Sequence, residues 1–188
     1  GAADVNLGGA GAADGANSRF VFEISGNKGA RELSFASGTS INDIAAAINS
    51  FTDVTGVKAT VSGTGLTVKS SEFGKDEFVS VRVVDAGTLN TAQATAGVYE
   101  FESANTGAAS TAGGDRTLFS AANNKITDLG QNVAATINGI QATTNGTLAR
   151  INTDFLDVEI DLKTGSSSGA DAQALGAISA FTITGGGA

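Results

Sequence analysis

The sequence predicts a mainly β (α+β) fold: antiparallel sheets and hairpins with one short amphipathic helix packed on a sheet. Three observations predict it. Apolar residues recur with period two at both ends of the chain, as in Phe20, Phe22 and Ile24 and again in Leu156, Val158, Ile160 and Leu162. Turn dipeptides such as Asn138-Gly139 and Asn145-Gly146 separate such runs. One stretch alone, Ser40 to Asn49, carries a clear helical period.

Taken in order, residues 1–18 are mostly Gly and Ala, with Asp4, Asp14 and Asn17, and read as a flexible connector or frayed end. Phe20, Phe22 and Ile24 then alternate with Val21, Glu23 and Ser25. Gly26-Asn27-Lys28-Gly29 supplies turn chemistry, and Glu32-Leu33-Ser34-Phe35 returns as the second strand of a hairpin. Ser40 can cap the helix by accepting from a first-turn amide, and Asp43 complements the helix N-terminus. Ile41, Ile44, Ala45 and Ile48 form one apolar stripe. After the helix, Val57 to Val61 turns at Ser62-Gly63-Thr64-Gly65 into Leu66 to Lys69, with Val57, Ala59 and Val61 on one face. Phe78 to Val83 closes a β-β-α-β-β-β module over 19–85.

The segment 86–129 is dense in Gly, Ala, Ser and Thr, with strands expected at Val98 to Glu102 and Thr117 to Phe119 and mobility at 103–115. Beyond it, Val133 to Ile137, Ile140 to Thr144 and Thr147 to Ile151 predict a meander. Both Asn-Gly pairs are expected at the centres of type I′ turns. Leu156 to Lys163 alternates strictly and is the cleanest amphipathic strand. A helical turn at Asp171 to Leu175 and a last strand at Ile178 to Thr184 complete a β-rich module over 130–188.

At 188 residues the chain can bury a core as one domain or two small lobes. It has no Cys, which removes disulfides, thiolate nucleophiles and cysteine metal sites, and no His, the commonest zinc ligand and general base. Hydrolysis would need two carboxylates meeting in a cleft or a Ser activated by Lys, and nothing in the pattern places such groups together. The reading is that the chain is not an enzyme, with no catalytic, cofactor-binding or metal residues assigned. The net charge of −8 comes from 19 acidic against 11 basic residues, and the basic ones are scattered. That pattern argues against nucleic acid, whose phosphates call for clustered Lys and Arg. No apolar run is long enough to span a membrane. The Gly-Ala start without Met would suit an excised fragment.

Three local features invite a sharper reading. Asp157, Glu159 and Asp161 share one strand face, and carboxylates are the ligands of a hard cation such as calcium. Same-face neighbours lie roughly 6–7 Å apart along a strand, so a solvated face is the favoured reading. Asn145-Gly146-Thr147 fits the N-glycosylation pattern, but the same residues make a hairpin turn, which is the favoured reading. Gly185 to Gly187 lacks the Lys and Ser/Thr of a phosphate loop and reads as linker.

Gly38-Thr39-Ser40-Ile41 before a short helix ending in Ile48-Asn49, then Gly56-Val57-Lys58-Ala59 and Gly65-Leu66-Thr67-Val68, resembles the flagellin hook motif. That repeat occurs in the middle regions of bacterial flagellins and hook-associated proteins. Gly130 to Gly139, Gly146, and Ile151 to Asp157 are similar to a further segment of these families, and Phe181 to Ala188 resembles the return toward flagellin's core helices. The resemblance covers roughly 19–85 and 130–188 and leaves 86–129 as a variable insertion. It lacks the heptad-patterned helical ends through which flagellins polymerise. It implies the surface-exposed middle of a flagellin, extracellular and in the flagellum, acting as outer spacer and antigenic surface. Its partners would be other flagellin subunits, reached mostly through those missing ends, so the isolated chain is expected to be monomeric. A cap or hook-associated protein is the first alternative. An adhesin-like domain binding glycans or a receptor through 86–129 is the second. Outer-domain O-glycosylation in the family would offer Ser103, Thr106, Ser110 and Thr111 as acceptors.

Overall fold

The computed structural model describes residues 2–5, 19–36, 38–62, 65–87, 97–102, 105–110, 112–119, 125–154 and 156–162. These form two compact units, 1–131 and 132–188.

The first unit runs β1 (Ala2–Val5), β2 (Arg19–Gly26), β3 (Gly29–Ala36), α1 (Ile41–Ser50), α2 (Thr52–Thr55), β4 (Val57–Ser62), β5 (Gly65–Ser70), β6 (Phe78–Asp85), β7 (Gly97–Glu102), β8 (Asn105–Ala109), β9 (Arg116–Leu118) and β10 (Ile126–Leu129). Every pairing is antiparallel among the described residues. One sheet has the order β4-β5-β1-β7-β8, with β9 also on β7; the other has the order β10-β6-β2-β3. Both sheets and α1 feed one hydrophobic core, in which Phe22, Ile24, Ile48, Leu66, Val68 and Val81 are fully buried.

The expected hairpin forms in full register, from Arg19 opposite Ala36 to Gly26 opposite Gly29. Phe20, Phe22 and Ile24 are buried as period two requires, and Phe20 packs edge-on against Phe119, with ring centroids 5.2 Å apart. Val21 is buried as well, although it stands on the opposite face. A register shift between Val21 and Phe22 against β6 marks a bulge there, beside which Val84 is left exposed. The α1 stripe faces inward: Ile44, Ala45 and Ile48 are buried, and Ile41 packs against the same core.

Two stretches differ from the sequence expectation. Ala2–Val5 lies in the supposed connector, yet it forms β1 between β5 and β7. Its short run of small residues carries no periodic signal; what makes it a strand is backbone pairing on both sides. The segment 86–129, read as an insertion, gives strands to both sheets: β7 lies against β1, and β10 against β6. Asn105–Ala109, within the stretch expected to be mobile, pairs with β7.

The second unit contains β11 (Thr136–Ile137), β12 (Ile140–Gln141), β13 (Thr143–Asn145), β14 (Leu148–Thr153) and β15 (Leu156–Asp161). β13, β14 and β15 make a three-stranded sheet, and β11 and β12 a small hairpin. Buried Ala142, Ala149 and Ile151 form its core, with Ala135, Ile137 and Leu162 packed against them. Asn138 and Gly139 both take positive φ, 52° and 79°, as a type I′ turn demands. The second Asn-Gly turn is shifted by one residue. Asn145 pairs with Leu148 as the last residue of β13, and Gly146, at φ 58°, opens the loop. The Asn132 side chain bonds both the Thr144 carbonyl, at 3.0 Å, and the Gly146 amide, also at 3.0 Å, and fixes that register. The first meander strand shortens to Thr136–Ile137 because Val133 instead donates its amide to the Gly146 carbonyl. The expected helical turn at Asp171 to Leu175 and strand at Ile178 to Thr184 lie outside the described residues.

Candidate functional site

The most specific local geometry in the chain lies where α1 and α2 meet β4. Ser40 caps α1 as predicted: its hydroxyl accepts from the Asp43 amide at 3.2 Å and donates to the Asp43 carboxylate at 2.7 Å. At the other end, Asn49 turns toward β4. Its side-chain amide donates to the Ala59 carbonyl at 2.9 Å, and its carbonyl accepts from the Ala59 amide at 2.8 Å. A primary amide offers one donor and one acceptor in the arrangement of a peptide group, so Asn49 occupies the place of a neighbouring strand.

Among the described residues, β4 is the last strand of its sheet. In an antiparallel ladder, alternate residues point both backbone groups outward, and on an edge strand these lack partners. Val57 and Ala59 are such residues. Thr52 donates its hydroxyl to the Val57 carbonyl at 2.8 Å, and the Val57 amide donates to the Thr55 hydroxyl at 3.2 Å. Thr55, fully buried, in turn donates to the Phe51 carbonyl at 2.9 Å. Three side chains of the two helices therefore satisfy four outward backbone groups of β4. Gly56 makes the tight path from α2 into β4 possible: its φ of 75° is left-handed, and it caps α2 by donating to the Thr52 carbonyl at 2.7 Å. The sequence reading placed Ile48 and Asn49 on the helix without assigning the Asn a role. A poor helix former in a last turn was the available signal, since Asn side chains compete for backbone partners.

The carboxylate ladder on β15 is engaged with protein groups. Asp157 accepts a two-pronged bond from Arg150, at 3.0 and 2.7 Å, and a further one from Asn152. The Arg150 guanidinium holds Asp157 below the usual carboxylate range, and Arg150 is itself raised by that bond. Asp161 accepts from the Thr147 hydroxyl at 2.7 Å. Among the described residues, no group of three acidic side chains is arranged to hold a metal ion. Glu100 is pushed above its ordinary value by burial first, then by the charges of Asp128 and Asp115.

Of the four suggested glycosylation acceptors, Ser110 is corrected by the structure. It is buried and donates to the Asp115 carboxylate at 2.7 Å, so its hydroxyl is committed inside the fold. The side chains of Ser103, Thr106 and Thr111 lie outside the described residues. Asn145 is exposed, while Thr147 of the same tripeptide is tied to Asp161.

One of the comparisons with known proteins falls on the same module. No curated protein sequence gives a significant match. Among solved structures, the D2–D3 domains of the flagellar cap protein FliD from Serratia marcescens are similar at 20% identity, with a TM-score of 0.40, over 88% of this chain and 82% of that one. The family model described as the flagellin hook IN motif matches residues 20–72. Those residues hold the β2–β3 hairpin, both helices, the β4–β5 hairpin and every side chain of the edge closure just described. Residues 20–72 of this chain are thus similar to the flagellin hook IN motif.

Proposed function

We propose that this chain is the surface-exposed middle region of a bacterial flagellin, a structural spacer and antigenic surface on the outside of the filament. The motif match at 20–72 carries the reading. The fold supports it physically. Antiparallel sheets sharing one core, with the β4 edge bonded at Val57 and Ala59 by helix side chains, make a stiff unit. A net charge of −8 keeps closely spaced copies apart through mutual repulsion. In this reading the chain performs no catalysis and meets its neighbours as other flagellin subunits. It lies outside the cell, and no helix among the described residues is long and apolar enough to cross a membrane.

Antibodies raised against the chain and imaged by electron microscopy on cells of the source organism test the proposal. Labelling along the whole length of the flagellum is the expected result. Label confined to the tip would assign the chain to a cap protein, and label confined to the hook junction to a hook-associated one. Absence from flagella, together with glycan-array binding, would replace the spacer with an adhesin.

A further inference from the structure

We propose that Asn49, Thr52 and Thr55 form an edge guard over β4, and that the partner they exclude is a second copy of this chain pairing strand to strand. The four hydrogen bonds to Val57 and Ala59 leave both residues without free outward groups. Any incoming strand would have to displace the side chains first. The inference concerns the fold itself and stands apart from the flagellar reading.

The need for a guard here follows from the residues on the edge. Two copies of β4 related by a two-fold axis at Ala59 would place Ala59 opposite Ala59, Lys58 opposite Thr60, and Val57 opposite Val61. Nothing in that set repels, and each copy would supply the hydrogen bonds the other lacks. β15, the last strand of the second unit's sheet among the described residues, is different. The same operation centred on Glu159 sets Glu159 against Glu159 and Asp157 against Asp161, so like charges oppose pairing. β15 is protected by its own charge. β4 lacks that protection, and the neighbouring helices provide it instead.

The chain's lack of cysteine makes the test direct. In the two-fold pair, Ala59 is a hydrogen-bonded position, so Lys58 and Thr60 fall at the closer, non-hydrogen-bonded spacing, within reach of a disulfide. The full chain carrying Lys58→Cys and Thr60→Cys is oxidised with Asn49 intact and with Asn49→Ala, and self-association of the cysteine-free forms is followed by sedimentation velocity. The parent should stay monomeric. Asn49→Ala should associate at least about tenfold more tightly and cross-link through 58 and 60. Asn49→Asp, which keeps the acceptor for the Ala59 amide and loses the donor, should fall between. Equal cross-linking with and without Asn49 would overturn the proposal. So would a cooperatively folded Asn49→Ala that stays monomeric at about 100 μM, a concentration far above that of a specific dimer. If Asn49→Ala loses its cooperative melt, Thr52→Val, which keeps the shape and frees the Val57 carbonyl, decides by the same two readouts.

Discussion

Ile44 is 5% exposed and belongs to the apolar core shared by α1 and the sheets. Ile44→Asp should therefore cost about 3 kcal/mol or more and abolish the cooperative urea transition of the first unit. Gly130 is constrained differently: a Cβ there would run into the Gly74 carbonyl, a backbone atom that cannot swing aside. Gly130→Ala should lower stability by roughly 1–3 kcal/mol, read from the same transition. Glu100 gives a pH-dependent test. Its carboxyl is raised above 4.5, so between that value and the raised one the folded chain binds more protons than the unfolded chain. Stability falls as pH climbs through that window. Glu100→Gln should be more stable than the parent at neutral pH and lose its advantage below pH 4.5. Urea melts at the two pH values check both halves.

Among the elements, α1 and β15 were the most legible in the sequence, and both behave as read. Ser40, Asp43 and the Ile41, Ile44, Ala45 and Ile48 stripe state a helix's start and its buried face within ten residues. The alternation over Leu156 to Asp161 states a strand with equal clarity. What neither run could state is which backbone its side chains would meet. Asn49 and Ala59 are ten positions apart, and their pairing depends on the return angle set by α2 and Gly56. The register of the β13–β14 turn was missed for a similar reason. An Asn-Gly pair prefers the two central positions, but Asn132, fourteen residues before Gly146, holds the chain one step along. On β14 and β15, Arg150 and Asp157 stabilise the pairing across strands. Asp157 is held below 3.8, so its contribution is present above that value and is lost as pH falls through the lowered one. Both groups are exposed, so Asp157→Asn should lower the melting temperature of the second unit at low salt and much less at high salt.

At the scale of the whole molecule, the described residues of the two units differ sharply in how much they bury. The first closes a core of large side chains from both sheets and a helix. Among the described residues of the second, Ala142, Ala149 and Ile151 are the buried apolar ones. Burial of apolar area is the main favourable term, so the units should not lose structure together. Hydrogen exchange is expected to show amides of 143–161 opening at lower free energy than those of β2 and β6. Equal protection in both units would contradict this.

The sequence by itself determined the antiparallel β character, the amphipathic helix and its cap, and the likeness to the hook motif from 20 to 72. Each of these is written in residues close together, where composition and periodicity act on local backbone preference. Only the tertiary structure decided that Ala2–Val5 is a central strand, that 97–129 feeds both sheets, and that Asn49 closes the edge of β4. These depend on backbone groups finding partners far along the chain, and every peptide group carries the same donor and acceptor whatever its side chain.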